Sequence, residues 1–436
     1  MVRPPPDAGT NSPTDDPAVE SGPLVTAAMV EAAAARLDGC IPATPVEISP
    51  RLSARVGATV WLKREDLQVV RSYKVRGAYN FVVQLNEAER TAGVVSASAG
   101  NHAQGLAYAC AAVGVHGRIY VPRTTPRQKR DRIAALGGDK VELVVLGDSY
   151  DDAAEAAASD EVATGATRVP AFDHPRTIAG QGTVLAEAVQ QLGAAPDVVV
   201  VPVGGGGLLA GTVAWLDERH PEVRVVGVEP AGAACMAAAL TAGAPVALAE
   251  IDGFVDGAAV RRAGELTYPL VRDGGAELVS VPEGQVCCEM LAMYQSDGII
   301  AEPAGALTAA ALGTAISVEP GAGVLCVVSG GNNDVSRYGE VVERALVHEG
   351  RKHYFLVDFP QEPGALRGFL DEVLGPDDDI TLFEYVKRNN REKGPALVAI
   401  ELGRPEDFGA LLERMQRCPP DVQLIPPDSP LFRYLL

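Results

Sequence analysis

Residues 196–211 read PDVVVVPVGGGGLLAG. Four valines in a row need no polar alternation, because a parallel strand buried between two helical layers has no wet face. The run stops at Pro202, and four glycines follow before the apolar, helix-forming LLAG. A strand that ends in glycines and opens a helix is a ligand-binding joint of an open α/β sheet, where ligands sit outside the carboxyl ends of the strands. Consecutive glycines permit positive φ and let backbone N–H groups approach an anion at the helix N-terminus.

Similar strands recur on both sides: GVVSAS (93–98), RIYVP (118–122), KVELVVLG (140–147), VRVVGVEP (223–230) and GVLCVVSGGN (323–332). Ala-rich helical stretches separate them. The fold predicted for residues 25–345 is therefore α/β with buried parallel sheets. After a helix around 338–348 the pattern changes. HYFLVDFP alternates like a solvent-facing strand, and PGALRGFLDEVLG reads as a helix. DITLFEYVKRN and GPALVAIEL follow as strands, PEDFGALLERMQRC as a helix, and Val422–Ile425 as a last strand. The order β-α-β-β-α-β predicts a ferredoxin-like unit over residues 346–436. Residues 1–24, rich in Pro, Asp, Ser and Thr, read as a disordered lead.

Composition narrows the function. The chain has 436 residues and 47% hydrophobic residues, enough for two cores, with aromatics at only 5%. A net charge of −20 repels phosphate backbones, which argues against nucleic acid as a partner. The cysteines are Cys40, Cys110, Cys235, Cys287, Cys288, Cys326 and Cys418, with no C-x-x-C pair. That pattern gives neither a zinc site nor a disulfide framework and reads as reduced thiols. The N-terminus lacks an apolar signal segment, and no apolar run reaches the roughly 20 residues of a membrane span. The expectation is a cytoplasmic protein without a membrane partner.

Three segments carry candidate chemistry. Lys74 lies in RSYKVRGAYN. A lysine amine can form a reversible imine with an aldehyde cofactor and then act as a base. Alone, Lys74 reads as a solvated charge at a helix start. SASAGNHAQG (96–105) follows a strand and opens a helix, so its amides face an anion such as a carboxylate. His102 there reads equally as functional or as a satisfied structural histidine. VVSGGNND (327–334) ends another strand with Ser329. A rival reading exists for the glycine segment. Gly205, Gly207 and Ala210 fit G-x-G-x-x-A, and Glu229 ends the next strand where a dinucleotide-binding fold places its ribose acid. A nicotinamide dehydrogenase thus stands as one alternative, and a non-enzymatic amino-acid sensor as another.

SYKVRGA, SAGNHAQG, GGGGL and VSGGN, in this order, resemble the signatures of fold-type II pyridoxal-phosphate enzymes, most closely the threonine dehydratases (threonine ammonia-lyases). FPQEPGAL and the ending SPLFRYLL resemble the single ACT-like regulatory unit of the short biosynthetic form. The resemblance implies pyridoxal phosphate, L-threonine as substrate, the first step of isoleucine biosynthesis, L-isoleucine as effector and a homotetramer. It implies that Lys74 holds the cofactor and acts as base. Asn101 would meet the phenolic oxygen, Gly204, Gly205, Gly206, Gly207 and Leu208 the phosphate, and Ser329 the pyridine nitrogen. Ser98, Ala99, Gly100, Asn101 and His102 would grip the substrate carboxylate. In the regulatory unit, the turn Glu362, Gly364, Ala365 and Leu366 would offer backbone groups to the effector. Phe383 and Tyr385 would line a slot or pack against their own helices. A catabolic serine/threonine dehydratase and a serine racemase are the alternatives within the class. The related racemases bind a cation near this VEP strand end. Glu229 and Ala233 match their ligand positions, but Cys235 replaces an Asp, so no metal is expected.

Overall fold

The computed structural model describes residues 25–385, 392–417, 421–427, 429, 431, 432 and 435. The expected N-terminal lead, residues 386–389 of the predicted strand and Cys418 lie outside the described residues.

Strands β1 (Val46–Ile48) and β2 (Thr59–Arg64) open a large sheet. The chain then crosses to a small sheet of β3 (Val94–Ala97), β4 (Gly117–Val121), β5 (Val141–Val145) and β6 (Thr167–Arg168), ordered β5-β4-β3-β6 and wholly parallel. It returns with β7 (Val198–Pro202), β8 (Arg224–Pro230), β9 (Glu277–Val281) and β10 (Gly323–Val328). The large sheet has the order β1-β2-β10-β7-β8-β9, and only β1 runs antiparallel. All six strands read from the sequence are present. β1, β2, β6 and β9 are additions, being short or mixed in character.

The four-valine run explains the layering. Val198 and Val200 enter the core on one face of the large sheet, and Val199 and Val201 enter the core on the other. Burying one such side chain is worth about 1.5–3 kcal/mol, so neither face tolerates a polar residue. Helices Pro175–Leu192 and Gly207–Arg219 cover one face and approach closely, since a Cβ on Gly182 would lie 2.7 Å from the Gly211 carbonyl oxygen.

Helix Lys74–Val82 is locked to the large sheet by buried charges. Arg76 bonds both oxygens of Glu65 (2.9 and 2.7 Å) and both oxygens of Glu187 (2.9 Å each). Lys63 on β2 donates to Glu187 (2.5 Å), to Gln191 and to the Thr44 carbonyl. Two cations thus face two carboxylates with nearly every donor satisfied, the condition under which buried ion pairs hold.

Helix Tyr338–His348, at the predicted position, leads into a third sheet. Strands β11 (Lys352–Pro360), β12 (Asp379–Tyr385), β13 (Lys393–Glu401) and β14 (Asp421–Ile425) form it in the order β12-β13-β11-β14, all antiparallel. With helices Ala365–Val373 and Phe408–Arg417, this is the predicted ferredoxin-like unit. The connecting helix grips both sides. Glu343 accepts hydrogen bonds from Lys352 (2.6 Å) and the Tyr354 hydroxyl of β11. The next residue, Arg344, reaches the other way, to Asp252 (3.2 Å) and over the Phe254 ring (4.5 Å), which Arg337 also covers (4.7 Å). No described helix is long and apolar enough to cross a membrane.

Candidate active site

The three sequence segments converge. Lys74 begins its helix, and its amine contacts the Ala171 carbonyl at 3.3 Å. The residue before it, Tyr73, donates its backbone N–H to the carbonyl of Ser329 (3.1 Å), and Ser72 bridges Gly330. The end of β10 therefore lies directly against the chain entering Lys74. Gly105, in the helix opened by Asn101, packs its α-carbon face onto Val75 and the Lys74 carbonyl carbon. Next to Ala171, Phe172 covers the glycine loop, since a Cβ on Gly205 or Gly207 would lie 2.5 or 2.8 Å from it.

The loop itself is a cup made of backbone. Gly206 has φ +94°, a conformation strained for any other residue, and starts the helix Gly207–Arg219. Thr267 donates to the Gly205 carbonyl (2.6 Å), and Cys235 lies 3.4 Å from the Gly204 carbonyl. Leu208 is buried at the first turn. The Gly204 and Gly205 carbonyls are thus engaged, and the helix Gly207–Arg219 has no side-chain cap, which leaves its first amides to an anion such as a phosphate.

Ser98 accepts from the Gly100 N–H (3.3 Å), shaping the loop that ends at Asn101. The helix Asn101–Val113 has no side-chain cap, which leaves its first amides to a ligand carboxylate. The His102 ring points elsewhere. Its Nε2 sits 2.9 Å from the Val169 carbonyl, and burial, reinforced by the charge of Lys74, pulls its pKa down to about 4. The low pKa leaves the imidazole neutral, and one of its two ring nitrogens is taken by backbone. Ser329 is buried and donates its single proton to the Ala304 carbonyl (3.2 Å).

Two residues that the sequence reading passed over complete the site. Glu302 is buried, with Oε1 2.6 Å from Asn101 Nδ2. Asn332 donates to Asn101 Oδ1 (2.7 Å). The available signal was an acid isolated in the apolar IIAEPAGA, but a Glu before Pro reads first as a helix cap. Asp256, whose charge acts on Glu302, pairs with Lys129 (3.0 Å).

Glu229 distinguishes the rival readings. Its carboxylate accepts from the N–H groups of Met236 (2.7 Å) and Ala237 (2.9 Å) and is fully buried. Both of its oxygens are thus committed to the first amides of helix Cys235–Ala242, an arrangement unlike that of a ribose-binding acid. Burial raises its pKa to about 7, and Cys235 beside it offers a hard cation no oxygen ligand. We expect dialysis against a chelator to leave turnover unchanged. Activity lost to chelation and restored by a divalent cation would contradict this.

The parts match the polar groups of one cofactor: an amine for an aldehyde, a backbone cup for a phosphate, a hydroxyl for a pyridine nitrogen and an amide for a phenol. The fold and site are those of a fold-type II pyridoxal-phosphate enzyme. Residues 37–330 match the family described as pyridoxal-phosphate dependent enzyme, and residues 343–435 match the C-terminal regulatory domain of threonine dehydratase. The L-threonine dehydratase biosynthetic IlvA of Mycobacterium tuberculosis is 61% identical over 95% of this chain and 98% of its own. The Bacillus subtilis protein of that name is 47% identical over 90% of this chain and 93% of its own. Among solved structures, the processed threonine deaminase isoform 2 of Solanum lycopersicum superposes with a TM-score of 0.69 at 34% identity, covering 74% of this chain and 96% of that one. Maize serine racemase gives 0.68 at 29% identity, covering 74% and 99%. The chain belongs to the family of biosynthetic threonine dehydratases.

Proposed function

We propose that this enzyme converts L-threonine to 2-oxobutanoate and ammonia as the committed step toward isoleucine, in the cytoplasm. The observation that carries the reading is the 61% identity to a biosynthetic threonine dehydratase over 95% of the chain. The bound cofactor supplies the electron sink for the pair left when the α-proton departs. The Lys74 amine, held near the Ala171 carbonyl, takes that proton. The amides at the start of helix Asn101–Val113 hold the threonine carboxylate and so fix which face of the α-carbon meets Lys74. Gly204, Gly205, Gly206, Gly207 and Leu208 anchor the phosphate, and Asn101 donates to the phenolic oxygen. Ser329 turns its proton from Ala304 to the pyridine nitrogen. A neutral hydroxyl cannot keep that nitrogen protonated as a carboxylate would, which limits the lifetime of negative charge at the α-carbon and favours loss of the β-hydroxyl. Ser329→Asp is expected to lower elimination at least about tenfold and raise the share of racemised or transaminated product. Unchanged rate and product ratios, read by chiral chromatography, would defeat the electron-sink argument.

We also propose that residues 346–436 bind L-isoleucine and lower the affinity for threonine in a homotetramer. Glu362, Gly364, Ala365, Leu366, Phe383 and Tyr385 line one cavity of about 370 Å³. Its floor is aromatic, with the Phe359 ring 5.9 Å from Phe383 and 5.7 Å from Tyr385. Both side chains pack on their own domain and face the cavity as well. The size and apolar floor suit a branched aliphatic amino acid, and the turn before helix Ala365–Val373 supplies backbone groups for its polar end. Keto-acid formation from threonine is measured with and without isoleucine, in the full chain and in a chain ending at residue 345. Coupling of about 1–3 kcal/mol gives roughly 5- to 150-fold weaker threonine affinity in the full chain only. Indifference of the full chain, or equal inhibition of both, refutes the effector reading. No keto acid from threonine refutes the activity.

A further inference from the structure

We infer that Glu302 is a positioning residue whose carboxyl group, with Asn332, sets the direction of the Asn101 amide and so presents an N–H to the cofactor's phenolic oxygen. The inference rests on the cofactor assignment above and adds to it a residue outside the recognised motifs.

The geometry is a hydrogen-bonded chain with one possible polarity. It begins at the Val70 carbonyl, which can only accept, and which receives Asn332 Nδ2 at 2.8 Å. The same nitrogen donates to Asn101 Oδ1 at 2.7 Å. Asn101 Nδ2 is thereby turned to Glu302 Oε1 at 2.6 Å. An amide nitrogen carries two protons, so one remains for a ligand. Flipping the Asn101 amide would set nitrogen against nitrogen at Asn332 and oxygen against oxygen at Glu302. Both ends oppose the flip, at a cost of one hydrogen bond each.

Glu302 is placed for this and for little else. It stands at the N-cap of helix Pro303–Ala311, yet its side chain makes no capping bond there. An acid at that position ordinarily serves the helix amides. Here the backbone is shaped around the carboxyl instead. A Cβ on Gly330 would lie 2.4 Å from Glu302 Oε1, and one on Gly257 would lie 3.3 Å away. Burial first, and then the negative charge of Asp256, lift the Glu302 pKa to about 7. The chain's polarity survives protonation of Glu302, because a protonated carboxyl still offers one oxygen as acceptor to Asn101 Nδ2.

The experiment compares the full-length enzyme with Glu302→Gln, Glu302→Met and Asn332→Ala, each saturated with pyridoxal phosphate. The readouts are the ratio of the visible to the near-ultraviolet absorption band and the cofactor concentration needed for half-saturation. An N–H on the phenolic oxygen favours its deprotonated, visible-absorbing form. Glu302→Gln keeps an acceptor, so band ratio and affinity stay within about twofold of the parent. Glu302→Met fills the space without accepting, and is expected to move absorption toward the near-ultraviolet and weaken cofactor binding roughly tenfold. Asn332→Ala, which frees the other end of the amide, shifts the ratio the same way even if Glu302→Met fails to fold. A parent-like band ratio in Glu302→Met, or in Asn332→Ala, overturns the inference. A parent enzyme with no borohydride-sensitive visible band overturns the cofactor assignment itself, a separate outcome.

Discussion

Lys74→Ala is expected to lower threonine deamination by about 10³-fold or more, the range for a group that serves as proton acceptor and cofactor anchor together. The variant should release pyridoxal phosphate on dialysis, and borohydride should no longer fix it to the chain. The size of the effect follows from the absence of a substitute among the described lysines nearby. Lys63 is buried against Glu187 and Gln191, and Lys129 is paired with Asp256. Lys63 would have to give up all three of its hydrogen bonds to reach the position beside Ala171, and Lys129 would have to leave Asp256. Near-normal rates in a keto-acid assay would show that Lys74 is not the base.

Arg76→Ala should be the most destabilising of the single changes considered. It leaves Glu65 buried with no cation in contact, at a cost of about 3–5 kcal/mol. Urea unfolding followed by circular dichroism measures it. A double substitution of Arg76 and Glu65 by leucine removes the orphaned charge along with its partner and should recover part of the loss. Glu187 keeps Lys63 in either case. If Arg76→Ala unfolds at the parent's urea concentration, the network contributes nothing. Lys74 begins the helix that Arg76 anchors, so partial loss of turnover is expected even below the unfolding transition.

The segments of the proposed catalytic frame were legible in the sequence because each is local. Lys74, Ser98–His102, Gly204–Leu208 and Ser329 each occupy an uninterrupted segment at the start of a helix or the end of a strand. The residues of the proposed effector site come together for the same reason, since the turn at Glu362–Leu366 and the alternating Phe383 and Tyr385 belong to consecutive elements and line one cavity. Glu302 was not, because its role depends on a partner 201 residues away and locally it looks like a cap. His102 shows the converse. Its place in a recognised segment suggests contact with substrate, while a carbonyl 67 residues on takes one of its ring nitrogens. Strand β2 escaped notice because WLKREDL carries charges that only the fold pairs, Lys63 with Glu187 and Arg64 with Asp66. Sequence spacing reports which groups share a segment, and it cannot report which distant residue satisfies them.

The helix Tyr338–His348 bears on how this protein can be divided. The family matches stop at residue 330 on one side and resume at 343 on the other, which leaves the first five residues of the helix in neither part. By contact it is shared property: Glu343 is bound into β11, while Arg337 and Arg344 close over Phe254. Phe254 opens the segment whose Ala258 lies behind Gly204 and whose Asp256 spans to Lys129. A regulatory unit exchanged between relatives at residue 330 would therefore bring its own arginines to a foreign ring. One exchanged after residue 348 would leave Glu343 facing foreign strand residues. The two halves are modules only if the hinge travels with both, so a chimaera that keeps its control must match this helix to each neighbour at once.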